Sequence, residues 1–396
     1  MSSIYRTSLP LASLTAVGML ATDLYLPAVP TLSQELGGSL TQSQATLAVF
    51  MAALAISQLL WGWASDRFGE RRTVLAGTAL LAMASVVCAL APNIETLLVA
   101  RIVQGLCAGA ATVVVPVLIR KQFSEADAVK SIAVVAMAES VIPAAGPIAG
   151  AVVIAYADWR LTFWLVALPT LLLLPVISAI VADGRRPAPQ TAAASWSFGP
   201  VLRNVAFMRY ALSYALLFGA LLAFVASAPH IATDWLGQPV SAFAFLQVCG
   251  VAAFMLGAAG GGRLAQGRGA DLPIAAGVWT QAASCAALVL LAWTDLRSLA
   301  GVATAWAVFC AGLGMRGPST MARALSAGSA LAGKASGLLM FLAFAVSSVA
   351  TMLVAPLLED GLLLLALVMS AMVLASAALL PRTRTCPAHT SGTAQK

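Results

Sequence analysis

Charge is what this chain has least of. Only 9% of its 396 residues are charged, while 61% are hydrophobic. A soluble domain carries about 25% charged residues. Most of this chain therefore cannot face water, in keeping with a mean hydropathy of +0.93. Histidine is nearly missing, with His230 and His389 alone. The six cysteines, Cys88, Cys107, Cys249, Cys285, Cys310 and Cys386, form no CxxC pair. Neither a metal site nor a disulfide framework is expected, and five of the cysteines read as small apolar fillers. No HExxH and no GxSxG occurs, and no GxxxxGK[ST] is present to cradle ATP phosphates. The chain reads as a non-enzyme with no cofactor.

What is present is long apolar runs. A membrane-spanning helix needs about 20 mostly apolar residues. Twelve runs qualify: 8–30, 44–64, 73–92, 96–119, 131–155, 160–182, 205–228, 242–265, 272–293, 298–321, 334–356 and 361–381. Their length and continuity predict helices, because barrel strands are short and alternate in polarity. The first run shows no small-residue cleavage site before a polar domain, so a signal peptide is not needed to explain it. The expected class is an all-α polytopic membrane protein.

The basic residues explain the net charge of +7. Twelve spans put both termini on one side. Loops on that side hold Arg67, Arg71, Arg72, Arg120, Lys121 and Lys130, then Arg185, Arg186, Arg203, Arg209, Arg263, Arg268, Arg323 and Lys334. The loops on the other side hold Arg160 and Arg297. The positive-inside rule makes the rich side cytoplasmic, with both termini there. A nucleic-acid partner is then not called for. A lipid bilayer surrounds the protein, and a functional monomer in a bacterial inner membrane is expected.

One connection is long. Residues 183–204 are polar and proline-bearing and divide the chain into six runs plus six. The expected organisation is an N-terminal bundle over 1–182, a cytoplasmic linker over 183–204, a C-terminal bundle over 205–381 and a cytoplasmic tail over 382–396. A repeat supports the division. GWASDRFGERR follows the second run at 62–72, and GRLAQGRGAD follows the eighth at 262–271, with Gly62 and Gly69 matched by Gly262 and Gly269. Gln266 stands in the second copy where Asp66 stands in the first. Six-helix halves repeated in one orientation are a transporter arrangement.

Three stretches carry a resemblance. GWASDRFGERR, with Gly62, Asp66, Arg67, Gly69, Arg71 and Arg72, resembles the cytoplasmic loop signature of the major facilitator superfamily, G-x-L-a-D-R-x-G-r-[RK], with Ala64 at the usual leucine. RIVQGLCAG at 101–109 resembles the superfamily's R-x-x-q-G-x-g. AAGPIAGA at 144–151, with Gly146, Pro147 and Gly150, resembles in part the signature G-x-x-x-G-P-x-x-G-G of its antiporters; Ile142 and Ala151 depart from it. The resemblance implies two pseudo-symmetric six-helix bundles and a conformational latch in the 62–72 loop. Gly62 would permit close helix approach. The opening stretch TDLYLPAVP is similar to the first-helix signature D-[ML]-Y-L-P-A of the Bcr/CflA drug-resistance branch. That implies proton-coupled efflux of small hydrophobic drugs or antibiotics. The alternatives are a dedicated metabolite transporter of the same fold, for a purine nucleoside or nucleobase, and a membrane sensor or scaffold that moves nothing.

Four ionisable residues sit well inside the apolar runs: Asp23, Arg101, Glu139 and Arg316. Such residues are functional candidates by default. Low dielectric favours a neutral carboxyl group and a nearby arginine favours a charged one. Asp23, with Arg101 at similar depth, could therefore hold either a proton or a cationic substrate. Glu139 is a second proton site or a structural partner of a basic residue. Arg316 either pairs with Glu139 or reaches toward the cytoplasm, the latter preferred. Tyr25, two residues past Asp23, is a candidate for the substrate cavity. Some drug-exporting relatives carry a second acid two turns before Asp23, where this chain has Thr15.

Overall fold

A computed structural model describes residues 3–123, 125–181, 198–239, 241–268, 270–328 and 332–380. Most of the expected linker and all of the tail from 381 lie outside the described residues, and so does the side chain of Asp66. Twelve long helices run through the described residues: α1 Ser3–Asp23, α2 Leu40–Phe68, α3 Glu70–Ala89, α4 Ile94–Gln122, α5 Glu125–Tyr156, α6 Arg160–Ile180, α7 Val205–His230, α8 Ser241–Arg268, α9 Asp271–Trp293, α10 Leu299–Ala327, α11 Ala332–Val354 and α12 Leu362–Leu379. Eleven spans are long and apolar enough to cross a membrane, and α5 carries the shorter apolar stretch Val141–Tyr156. The protein is an all-helical membrane protein.

The helices outrun the apolar stretches that reveal them. Helix α2 begins at a capping box in which the Ser39 side chain accepts from the Gln42 amide and the Gln42 side chain accepts from the Ser39 amide. These polar residues satisfy orphan amides at the helix start and contribute nothing to hydropathy.

The first apolar run is not one helix. Helix α1 ends at Asp23, a 3-10 turn spans Leu26–Ala28, and a short helix covers Val29–Glu35. Pro27 has no amide hydrogen to offer the Asp23 carbonyl, and its ring would collide with that carbonyl in a continuous helix. The break falls where the acid stands. Helix α7 also ends irregularly: Pro229 lies in its last turn and a π-helix follows at Ile231–Trp235.

Within the first six helices α2 packs on α4, α3 on α4 and α6, and α1 on α5 and α6. Within the last six, α8 and α9 pack on α10, and α7 on α11 and α12. Helix α2 meets α11, and α5 meets α8, across the two sets. The cores differ between the two ends of the molecule. At the end bearing the chain termini, one cluster gathers Leu11, Val74, Val115, Ile119 and Ile177, and a separate one gathers Phe207, Ala211, Ala324 and Leu339. At the opposite end a single cluster joins Leu26, Leu47 and Met51 to Phe224, Ile231 and Trp306. There Gln44 Nε2 donates to the Ala226 carbonyl at 3.3 Å, and Ser348 Oγ donates to the Ala48 carbonyl at 2.7 Å. The two sets of helices thus share a core at one end and keep separate cores at the other.

Candidate functional site

Asp23 is held between buried neighbours. Ala21, Leu24 and Tyr25 are buried, yet the Asp23 side chain stays part-accessible deep in the bundle. It therefore borders internal space rather than the outer surface. Its carboxylate has no hydrogen-bond or ion-pair partner among the described residues.

Helix α5 explains how a second element approaches so closely. A Cβ added at Gly146 would lie 2.7 Å from Asp23 Cβ, and one at Gly150 would collide with the Leu24 carbonyl oxygen. Only glycine lets the backbones of α1 and α5 approach this closely. The motif stretch at 144–151 and the acid at 23, separate in sequence, thus form one contact.

Arg101 is fully buried, and it is not joined to Asp23. Its Nη1 donates to the Ala21 carbonyl at 2.9 Å and to Gln104 Oε1 at 2.6 Å, and its Nε donates to the Thr46 carbonyl at 3.4 Å. The Ala21 carbonyl belongs to the last turn of α1, where helix carbonyls lose their ladder donors. The guanidinium carbon lies 4.5 Å from the Tyr25 ring centroid and 4.1 Å from that of Phe50. Arginine over an aromatic face in a desolvated setting contributes about 2 kcal/mol. Tyr25 in turn shares a 2.6 Å hydrogen bond with Thr46 Oγ1 and stacks obliquely on Phe163. Gln104 Nε2 donates to Ser85 Oγ at 2.8 Å. One buried network therefore ties α1, α2, α3 and α4 together beside the break in α1.

Tyr25 is only 1% exposed. It supports Arg101 in this conformation and does not line open space, contrary to the cavity position expected from sequence. Gln104 stands at the conserved-type q of R-x-x-q-G and was legible there; Thr46, Ser85 and Phe50 carry no sequence signal.

Glu139, also part-accessible, sits beside the Thr15 hydroxyl on α1. It forms no ion pair among the described residues. Arg316 neither pairs with Glu139 nor reaches for an end of the bundle. It is fully buried, and donates to Gln281 Oε1 at 3.2 Å, Ser213 Oγ at 3.2 Å and Ser376 Oγ at 2.7 Å, tying α10 to α7, α9 and α12. Polar partners on three neighbouring helices make the interior a lower-energy place than the interface for this side chain.

The model of the Major Facilitator Superfamily matches residues 11–352. The chain belongs to the major facilitator superfamily. The family and the relatives below are transporters, not enzymes. The chain is 29% identical over 242 residues to the uncharacterized MFS-type transporter YdgK of Bacillus subtilis, a match spanning 60% of each chain. It is 29% identical over 232 residues to the multidrug resistance protein MdtM of Salmonella typhimurium, spanning 58% of this chain and 56% of that one. It is 27% identical over 215 residues to the multidrug resistance protein MdtL of Escherichia coli, spanning 54% and 55%. The matched stretch thus covers less than two thirds of each relative. Among solved structures, a D-xylose-proton symporter superposes with TM-score 0.74 at 16% identity, covering 96% of this chain and 97% of that one. A bacterial homolog of the human lysosomal transporter Spinster, inward-facing and unoccupied, gives 0.69 at 15%, covering 96% and 95%. These likenesses carry the fold alone.

The 62–72 stretch lies at the end that bears the termini. Gly69 is the single residue between α2 and α3, and its φ of 86° is left-handed, a conformation that favours glycine. Arg71 Nη2 donates to the Ser178 carbonyl of α6 at 3.0 Å. Glu70 pairs with Lys121 of α4 at 2.5 Å. Arg67 lies over the Trp63 and Phe68 rings, and Arg72 is exposed. Gly62 does not mediate a close helix approach: nothing lies within 4 Å of where a Cβ would stand, and the same holds for Gly262.

Proposed function

We propose that this protein is a proton-coupled efflux antiporter of small hydrophobic drugs or antibiotics, in the Bcr/CflA manner, acting as a monomer in a bacterial inner membrane with both termini in the cytoplasm. The observation that carries the reading is the Asp23 carboxylate. It is part-accessible deep in the bundle, it has no counter-charge among the described residues, and it stands at the break in α1 against Gly146. A charged group in a span costs at least about 2.5–3.5 kcal/mol on insertion scales. A proton or a cationic substrate relieves that, and exchange of one for the other is antiport. Multidrug resistance proteins among the relatives support the substrate class.

In this reading residues 1–182 and 205–381 rock against each other around a central cavity. The shared core near Leu26 and Phe224 is the closed side, and the separate cores at the other end leave the side bearing the termini free to open. Arg101 positions the Asp23 segment through Ala21 and Tyr25, and the 62–72 loop latches the end it occupies.

The test is growth. The gene is expressed in a bacterium deleted for its own efflux pumps, and inhibitory concentrations are read for amphenicols, sulfonamides, bicyclomycin and lipophilic cations. Protection against at least one compound, lost in Asp23→Asn at equal protein abundance, is the expected result. No protection by an abundant wild-type protein would sink the drug-efflux reading.

A further inference from the structure

The α1–α5 seam carries more than Asp23. The two helices run parallel. Ser8 Oγ donates to Ser131 Oγ at 2.8 Å, Thr15 meets Glu139, and Asp23 meets Gly146. Glu139, Gly146 and Gly150 are seven and four residues apart, which places them on one face of α5. Thr15 and Asp23 are eight residues apart, about 12 Å along α1. The seam therefore holds two carboxylates at two depths, one from each helix.

Glu139 has the features of a group that changes state. It is part-accessible and without an ion pair among the described residues. The buried arginine of the second half that could have neutralised it is committed to Gln281, Ser213 and Ser376. Its one polar neighbour among the described residues is a hydroxyl, which serves both protonation states. Thr15 Oγ1 can donate to a carboxylate. It can also keep its proton on the Ala12 carbonyl, 3.0 Å away, and accept from the protonated acid. A fixed structural pair would need a lasting partner, and a rotating hydroxyl is not one.

We propose that Glu139, switching with Thr15, is a second proton-carrying carboxylate, nearer the end that bears the termini than Asp23, so that each exchange cycle moves two protons. This rests on the antiport reading above. One proton binds each carboxylate from one side of the membrane and leaves on the other. Against one monovalent cation the cycle then carries one net positive charge, whereas Asp23 alone would make it electrically silent.

Two measurements decide this. In purified protein reconstituted in nanodiscs, infrared difference spectra during a pH titration show the C=O stretch of protonated carboxylic acids. Wild type should lose two such bands as pH rises, Asp23→Asn one of them and Glu139→Gln the other, and Thr15→Val should shift the Glu139 band alone. Glu139→Asp should keep a band, which separates loss of the acid from loss of the fold. In proteoliposomes, ethidium accumulation driven by an acidic lumen should speed up under an interior-positive potential set with valinomycin and potassium. Glu139→Gln should lose that response while exchange driven by the pH gradient persists. An unchanged spectrum in Glu139→Gln, or an intact response to potential in that variant, would overturn the proposal. If wild type carries no ethidium, the efflux reading fails for that probe, and the infrared bands alone judge Glu139.

Discussion

Arg101 faces Tyr25, with its guanidinium carbon 4.5 Å from the ring centroid, and it does not face Asp23. Tyr25 follows the end of α1 by two residues: the ring takes the positive charge, and the acid at the helix end is left without it. The arginine's work is to fasten the broken end of α1 to α2 and α4, which holds Asp23 in place without neutralising it.

Replacing Arg101 should therefore disturb the fold before it disturbs proton affinity. Arg101→Lys keeps the charge but not the planar fork that serves Ala21, Thr46 and Gln104 together. Losing charge-assisted hydrogen bonds of this kind costs about 1.5–3 kcal/mol. Thermal unfolding in detergent, followed by a thiol-reactive dye or by circular dichroism, should show a clear drop in midpoint for Arg101→Lys and a larger one for Arg101→Met. An unchanged midpoint in both would mean the network holds nothing.

Gly146→Ala places a Cβ only 2.7 Å from Asp23 Cβ, so α1 and α5 must part. Overpacking costs about 1–3 kcal/mol. Transport should fall in Gly146→Ala and vanish in Gly146→Leu, while Ala145→Leu, on the exposed face of the same helix, should transport normally. Equal activity in all three would contradict the contact.

Gly69→Ala forces a side chain into a left-handed conformation, at about 1–2 kcal/mol. The unfolding midpoint should fall in Gly69→Ala and in Gly69→Asn alike, because φ 86° with ψ 153° lies outside the small left-handed region that asparagine tolerates. An unchanged midpoint in both would mean the strain is not at this residue.

Arg316 offers a contrast. Arg316→Met strands Gln281, Ser213 and Ser376 in the second half, so stability should drop while the pH dependence set by Asp23 stays as in wild type. A shifted pH profile in Arg316→Met would draw Arg316 into the coupling chemistry.

Much of this was legible in the sequence, for physical reasons. A span must be apolar for its whole length, so hydropathy marks it; but hydropathy runs one helix through 8–30, where Pro27 ends α1 at Asp23. The acid itself stood out because an apolar run pays no penalty lightly for a carboxylate. The partners were not legible. Arg101 and Asp23 lie at similar depth, yet choice between an acid and an aromatic ring depends on side-chain directions around α1 that no linear pattern records. Arg316 looked free to reach an end of its helix because Ser213, Gln281 and Ser376 are ordinary residues scattered over three helices. Gly62 matched a motif, and the matching says nothing about whether a neighbour is near it in a given conformation.

The most direct measurement follows the proton itself. Everted membrane vesicles containing the protein are acidified inside by respiration, and a fluorescent dye reports the gradient as each drug is added. For wild type at least one compound should collapse the gradient, and for Asp23→Asn, at equal abundance, the same compound should leave it standing. A collapse of equal size in Asp23→Asn would show that the exchanged proton does not travel on Asp23.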